Sequence, residues 1–118
     1  MRAVILFGHG SRDPLWRLPM ETVAARLRAL RPDTQVRCAY LELDAPSLPV
    51  AAEGLAQAGA TRVTIVPMFL GTGRHAREDL PHLVDQLRAS HPGIAFVLQK
   101  PVGEDRRVLD LIAQIALE

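Results

Sequence analysis

The chain has 118 residues, 48% of them hydrophobic and 23% charged, which is enough for one hydrophobic core, too few for two, and outside the range of disordered chains. Fourteen basic residues against thirteen acidic ones leave a net charge of +1, which excludes the long-range field that gathers nucleic acid or an anionic membrane surface. Surface scaling at this size predicts roughly 6,300 Å² of accessible area once folded, against roughly 18,700 Å² unfolded.

The first predicted element is the unbroken apolar run 3–7, a strand covered on both faces, which leads into the polar loop Gly8-His9-Gly10-Ser11-Arg12-Asp13-Pro14. Met20, Val23, Ala24, Leu27 and Leu30 then recur at helical spacing over 18–30, with Pro19 in the first turn and Pro32 just past the end. A second strand is expected over 35–41, followed by Glu42-Leu43-Asp44-Ala45-Pro46. Ser47 can cap a helix with Leu48, Ala51, Ala52, Leu55 and Ala58 on one stripe and Gly59 as its left-handed stop. Residues 61–66 are β-branched and apolar, and Pro67 marks the strand end or a bulge. After the loop 70–75, the spacing of Leu80, Leu83, Val84 and Leu87 predicts a helix over 77–89, broken by His91-Pro92-Gly93. A last strand over 94–98 precedes an amphipathic helix from about Asp105, with Val108, Leu111, Ile112 and Ile115 on one face, expected to close the domain.

This βαβαβαβα order predicts an α/β fold: a single doubly wound parallel four-stranded sheet flanked by helices, one domain over 1–118, in the order 2-1-3-4. The functional crevice is then expected at the C-terminal ends of the strands. A lone Cys38 allows no internal disulfide and no paired-cysteine zinc site, which fits a reducing compartment. The run 3–7 is too short for a signal peptide, and no apolar stretch reaches the length of a membrane span. A cytoplasmic protein without nucleic-acid or membrane partners is expected.

Three chemistry-bearing residues fall at strand ends: His9, Glu42 and His75, separated by 33 residues each, or about one βα unit. Two imidazoles and a carboxylate on one sheet edge can hold a divalent metal and leave coordination positions open for exchange or catalysis. His82 reads as solvated, His91 as a surface turn residue, and Cys38 as a small core residue. Ser11 lies two residues from His9 but in no nucleophile elbow, which argues against a hydrolase. Gly71-Thr72-Gly73 lacks the remainder of a P-loop or dinucleotide fingerprint. A receiver-like signalling domain would need an acidic cluster after strand 1, where this chain has His9.

Gly8-His9-Gly10-Ser11-Arg12, Leu41-Glu42-Leu43 with Pro46-Ser47, Val66-Pro67 through Phe69-Leu70, Gly73, His75 and Asp79-Leu80-Pro81 together resemble the short-form sirohydrochlorin chelatases over nearly the whole chain. That family belongs to the class II chelatases, related to ferrochelatase, which insert a divalent metal into a tetrapyrrole without ATP. The resemblance implies one chelatase-like lobe and a lyase reaction in cobalamin or siroheme biosynthesis. His9 and His75 would hold Co²⁺ or Fe²⁺ and help remove pyrrole protons, with Glu42 as the carboxylate of the site. The metal would be a substrate, with no prosthetic group. It also implies a homodimer, because long-form enzymes carry two such lobes. The loop 70–75 is short and lacks the histidine-rich run that would point to metal storage or nickel handling.

Sirohydrochlorin is a polycarboxylate, and a near-neutral protein must meet it with local cations. Arg12, Arg74 and Arg77 on or beside the crevice loops suit that task as bidentate forks, and Ser11 joins them as a substrate-binding residue. The rival from another class is a non-catalytic metal carrier using the same histidines, which would bind metal tightly and ignore tetrapyrroles.

Overall fold

The computed structural model describes residues 1–118. Four parallel strands, β1 (Arg2–Gly8), β2 (Gln35–Tyr40), β3 (Arg62–Pro67) and β4 (Ala95–Leu98), form one sheet in the order β2-β1-β3-β4. The helices are α1 (Leu18–Leu30), α2 (Leu48–Gln57), α3 (Arg74–Ser90) and α4 (Arg106–Ala116). The doubly wound α/β fold expected from the alternation is therefore the observed one, with the expected strand order. Pro67 ends β3 opposite Phe7, and the Met68 N–H continues the ladder to β1 by donating to the Phe7 carbonyl at 2.7 Å.

Side chains alternate across the sheet, so Ala3, Ile5 and Phe7 point to one face and Val4 and Leu6 to the other. The first face is covered by α2 and α3 in a cluster of 17 buried residues, with Leu55, Val63, Ile65 and Val84 fully enclosed. The second is covered by α1 alone, in a cluster of five, Leu6, Met20, Ala24, Val36 and Tyr40. Ser47 caps α2 as expected, its Oγ accepting from the Val50 N–H, and Gly59 stops the chain beyond it in the left-handed region at φ 91°.

Three features differ from the sequence reading. A 3-10 turn over Pro14–Arg17, capped by the Asp13 carboxylate on the Leu15 N–H, joins β1 to α1 where a plain loop is expected. Helix α3 begins at Arg74 rather than residue 77, so His75 and Arg74 sit in a helical first turn instead of a loop. The Arg74–Glu78 pair at 3.2 Å bridges that extra turn, and Pro81 is accommodated inside the helix. Helix α4 does not close the domain. None of its residues is buried, and Leu111 and Ile115 are 56% and 58% exposed. No helix is long and apolar enough to cross a membrane.

Candidate functional site

Beyond the paired ends of β1 and β2, the two following loops remain stitched together. The Leu41 N–H donates to the Gly8 carbonyl at 2.9 Å and the Glu42 N–H to the His9 carbonyl at 3.0 Å, extending the ladder past the sheet. Gly10 permits this approach: its φ is 102°, and a Cβ there would fall 1.7 Å from the Glu42 carbonyl oxygen. Gly8 likewise admits the start of α1, since a Cβ would lie 2.5 Å from Met20 Sδ. The outcome is a direct pair, His9 Nε2–H donating to Glu42 Oε1 at 3.0 Å, with both side chains more than half exposed. A carboxylate only accepts, so this bond places a proton on Nε2, and in the neutral ring Nδ1 keeps a free lone pair.

The loop carrying Glu42 is held from behind by residues the sequence reading passed over. Arg17 Nη1 donates to both oxygens of Asp44, at 3.2 and 3.3 Å, and Arg17 Nε to Glu21 at 3.1 Å. The Asp44 side chain is only 11% exposed, and this nearly buried carboxylate also accepts from the Ala45 N–H. Its hydrogen bond and charge raise the Arg17 guanidinium above its ordinary value. Tyr40 lies beneath the same loop, its ring edge-on to Trp16 at 6.1 Å, and burial pushes its hydroxyl up to about 12. Leu43, next to Glu42, adopts φ 62°, a left-handed conformation that costs a branched residue on the order of 1 kcal/mol and that the braced loop maintains. Nothing local in the sequence signals the Arg17–Asp44 clamp, which joins residues 27 apart.

His75 is exposed in the first turn of α3. The structure does not bring it into one ligand cluster with the His9–Glu42 pair: nowhere in the chain do three His, Cys, Asp or Glu side chains stand close enough to hold an ion together. The early start of α3 is the reason, since it fixes His75 on a helix rather than on a loop that could fold over the pair. Arg12 is exposed, Ser11 Oγ accepts from the Asp13 N–H at 3.1 Å, and Arg74 is engaged with Glu78. Arg77 lines a cavity of about 200 Å³ at the same sheet edge with Pro67, Leu80, Leu98 and Glu104. His82 is exposed, as read from the sequence. His91 is not the open surface residue expected, because its side chain is 14% exposed, 3.6 Å from Glu53 and tilted against Phe96. Cys38 is half-buried on β2, and desolvation raises its thiol above the ordinary value, as suits a packing residue.

Fold and site together define a small α/β lobe that presents an imidazole and a carboxylate, already paired, at an open sheet edge. The CbiX family model matches residues 3–118, and the chain belongs to the CbiX family. A sirohydrochlorin cobaltochelatase of Methanococcus maripaludis is 27% identical over 137 residues, 95% of each chain. A sirohydrochlorin ferrochelatase of Bacillus subtilis is 28% identical over 114 residues, taking in 94% of this chain and 42% of that one. Among solved structures, a CbiX protein assigned to cobalamin (vitamin B12) biosynthesis in Marinobacter aquaeolei superposes with a TM-score of 0.85 at 32% identity, over 98% of this chain and 94% of the other.

Proposed function

We propose that this chain, one chelatase lobe over residues 1–118, is a sirohydrochlorin metal chelatase that inserts Co²⁺ or Fe²⁺ into the macrocycle without ATP. The observation that carries the reading is the His9–Glu42 pair held at 3.0 Å on the sheet edge of a CbiX-family fold. Insertion requires the metal to lose its waters and two pyrrole nitrogens to lose their protons. Nδ1 of His9 offers a lone pair for either task, and Glu42 on the far side of the ring fixes its orientation and balances the charge gained when a proton arrives. His75 is the second imidazole within the same sheet edge, assigned to the incoming metal. Exchangeable ligands on an open edge suit an ion that must leave again, whereas storage calls for a closed set. Arg12, Arg74 and Arg77, with the Ser11 hydroxyl, are assigned to the carboxylates of the macrocycle. The metal is a substrate, and the reading needs no prosthetic group.

A homodimer completes the picture. The sheet edge is open, while tetrapyrrole-sized ligands are buried over most of their surface. The Bacillus relative is matched over 42% of its length, which leaves room in it for a second lobe of this size. The lone thiol of Cys38 is in keeping with a cytoplasmic setting.

The test is anaerobic incubation of the purified protein with sirohydrochlorin and Co²⁺ or Fe²⁺, following the pigment's absorbance. The protein is expected to accelerate insertion; a rate equal to the uncatalysed one for both ions, with tight metal binding, would instead establish a carrier. The same assay tests the clamp behind Glu42. Arg17→Ala is expected to lower the insertion rate about tenfold with unchanged far-UV circular dichroism, through misplacement of the Glu42 loop, and Arg17→Lys to restore part of the loss. An unaltered rate in Arg17→Ala would show that the clamp does not position Glu42.

A further inference from the structure

Leu43 is the one residue other than glycine whose backbone lies in the left-handed region, at φ 62°. Leucine suits that conformation poorly: glycine adopts it freely for want of a Cβ, and asparagine readily because its side chain can bond the local backbone. The turn alone therefore does not call for leucine. Packing does not call for it either, since the side chain is 52% exposed and belongs to neither apolar cluster. What remains to account for the residue is the apolar surface it presents to solvent, and strain that the surroundings hold in place is typical of ligand clamps.

Its neighbours fix where that surface is held. Glu42 before it is tied to His9 through both backbone and side chain, and Asp44 after it is gripped by Arg17. Leu43 thus cannot withdraw without disturbing one or the other, and its Cα stands only about 3.8 Å from that of Glu42. Other large apolar side chains stay uncovered in the loops of the same edge: Leu15 and Trp16 after β1, Leu41 beside Glu42, and Leu70 after β3. Trp16 reaches over the start of the first loop, where a Cβ on Gly8 would lie 3.1 Å from its Cη2. Single exposed leucines are ordinary, but here they gather on the loops of one sheet edge, the edge that carries the polar pair.

We propose that Leu43 is a substrate-contacting residue whose side chain lies against an apolar face of the macrocycle beside the His9–Glu42 pair. The inference rests on the chelatase reading and adds to it what holds the ring itself. A conjugated macrocycle is apolar on its two faces and carries its carboxylates at the rim, so arginines that meet the carboxylates leave the faces without a partner. An apolar side chain locked next to Glu42 supplies one and keeps water from between the ring and the pair. The contact is the same before and during insertion, so it supports binding more than the chemical step.

The experiment uses two substitutions that suit the left-handed backbone, Leu43→Gly and Leu43→Asn, and one, Leu43→Met, that keeps apolar bulk in the same conformation. Binding of metal-free sirohydrochlorin is followed by the pigment's fluorescence anisotropy, and insertion assays give KM and kcat. Leu43→Gly and Leu43→Asn are expected to melt close to wild type while weakening sirohydrochlorin binding and raising KM about tenfold, with a smaller change in kcat. Leu43→Met is expected to recover most of the binding. Wild-type affinity in both Leu43→Gly and Leu43→Asn would overturn the contact. A lowered kcat at unchanged KM and affinity would make Leu43 a support for Glu42 alone and overturn it too, as would an equal loss in Leu43→Met. Weakened self-association of Leu43→Asn by sedimentation, with wild-type sirohydrochlorin affinity, would assign the side chain to a second copy instead. Failure of the wild-type protein to bind sirohydrochlorin at all would overturn the chelatase reading and this inference with it.

Discussion

Replacing His9 by alanine is expected to cut the rate of metal insertion at least about a hundredfold while leaving the fold intact. The ring is more than half exposed and packs in neither apolar cluster, so its loss removes chemistry and no core. Glu42→Gln keeps the shape of the pair but not its charge, and a smaller loss, about tenfold, is expected because the carboxylate acts through the ring. His75→Ala should approach the His9→Ala loss at limiting metal and recover partly as metal is raised, the behaviour of a ligand. His82→Ala is the proper control, being exposed and away from the pair. His91 is a poor one, since its ring shelters against Phe96 and its removal alters packing. Wild-type rates in both the His9→Ala and His75→Ala variants would move the reaction away from this sheet edge.

Gly10→Ala is expected to damage both stability and activity. At φ 102° any side chain is strained by about 1–3 kcal/mol, and here the added Cβ also collides with the Glu42 carbonyl. The collision can be relieved only by parting the two loops, which breaks the Glu42 N–H bond to the His9 carbonyl and with it the alignment of the pair. A melting temperature lower by about 5–15 °C and insertion near background are expected. Gly59→Ala separates the two contributions. Its φ is 91°, yet a Cβ there meets nothing within 4 Å, so it should lose about 1 kcal/mol and keep wild-type turnover. Equal loss of activity in both variants would show that general destabilisation, not the loop contact, is what matters.

Much of this architecture is legible in the chain because its signals are local. The apolar runs at the strands, the Ser47 cap and the Gly59 stop are each confined to one element, and with the alternation of strand and helix they make β2-β1-β3-β4 the simplest doubly wound order, the one observed. His9 and Glu42 are legible for the same reason, since both follow directly on strands that must pair. What escapes is whatever depends on distant partners. The Arg17–Asp44 clamp leaves no spacing to read. The start of α3 is obscured because Gly73 gives no side-chain cap and Pro81 suggests a first turn that lies further on. The stripe on α4 announces an apolar face but cannot say which surface receives it, and only the packed structure reveals that its own sheet does not.

The unequal cover of the two sheet faces also sets how the molecule breathes. Local opening costs least where few apolar contacts must part, and the α1 layer, with five buried residues against seventeen, is the cheaper half to lift. Trp16 and Arg17 stand at the head of that layer and carry the brace for the Glu42 loop, so a transient loosening of α1 relaxes the grip on His9 and Glu42 while β1 and β3 stay locked against α2 and α3. The site is thus mounted on the compliant side of a rigid plate.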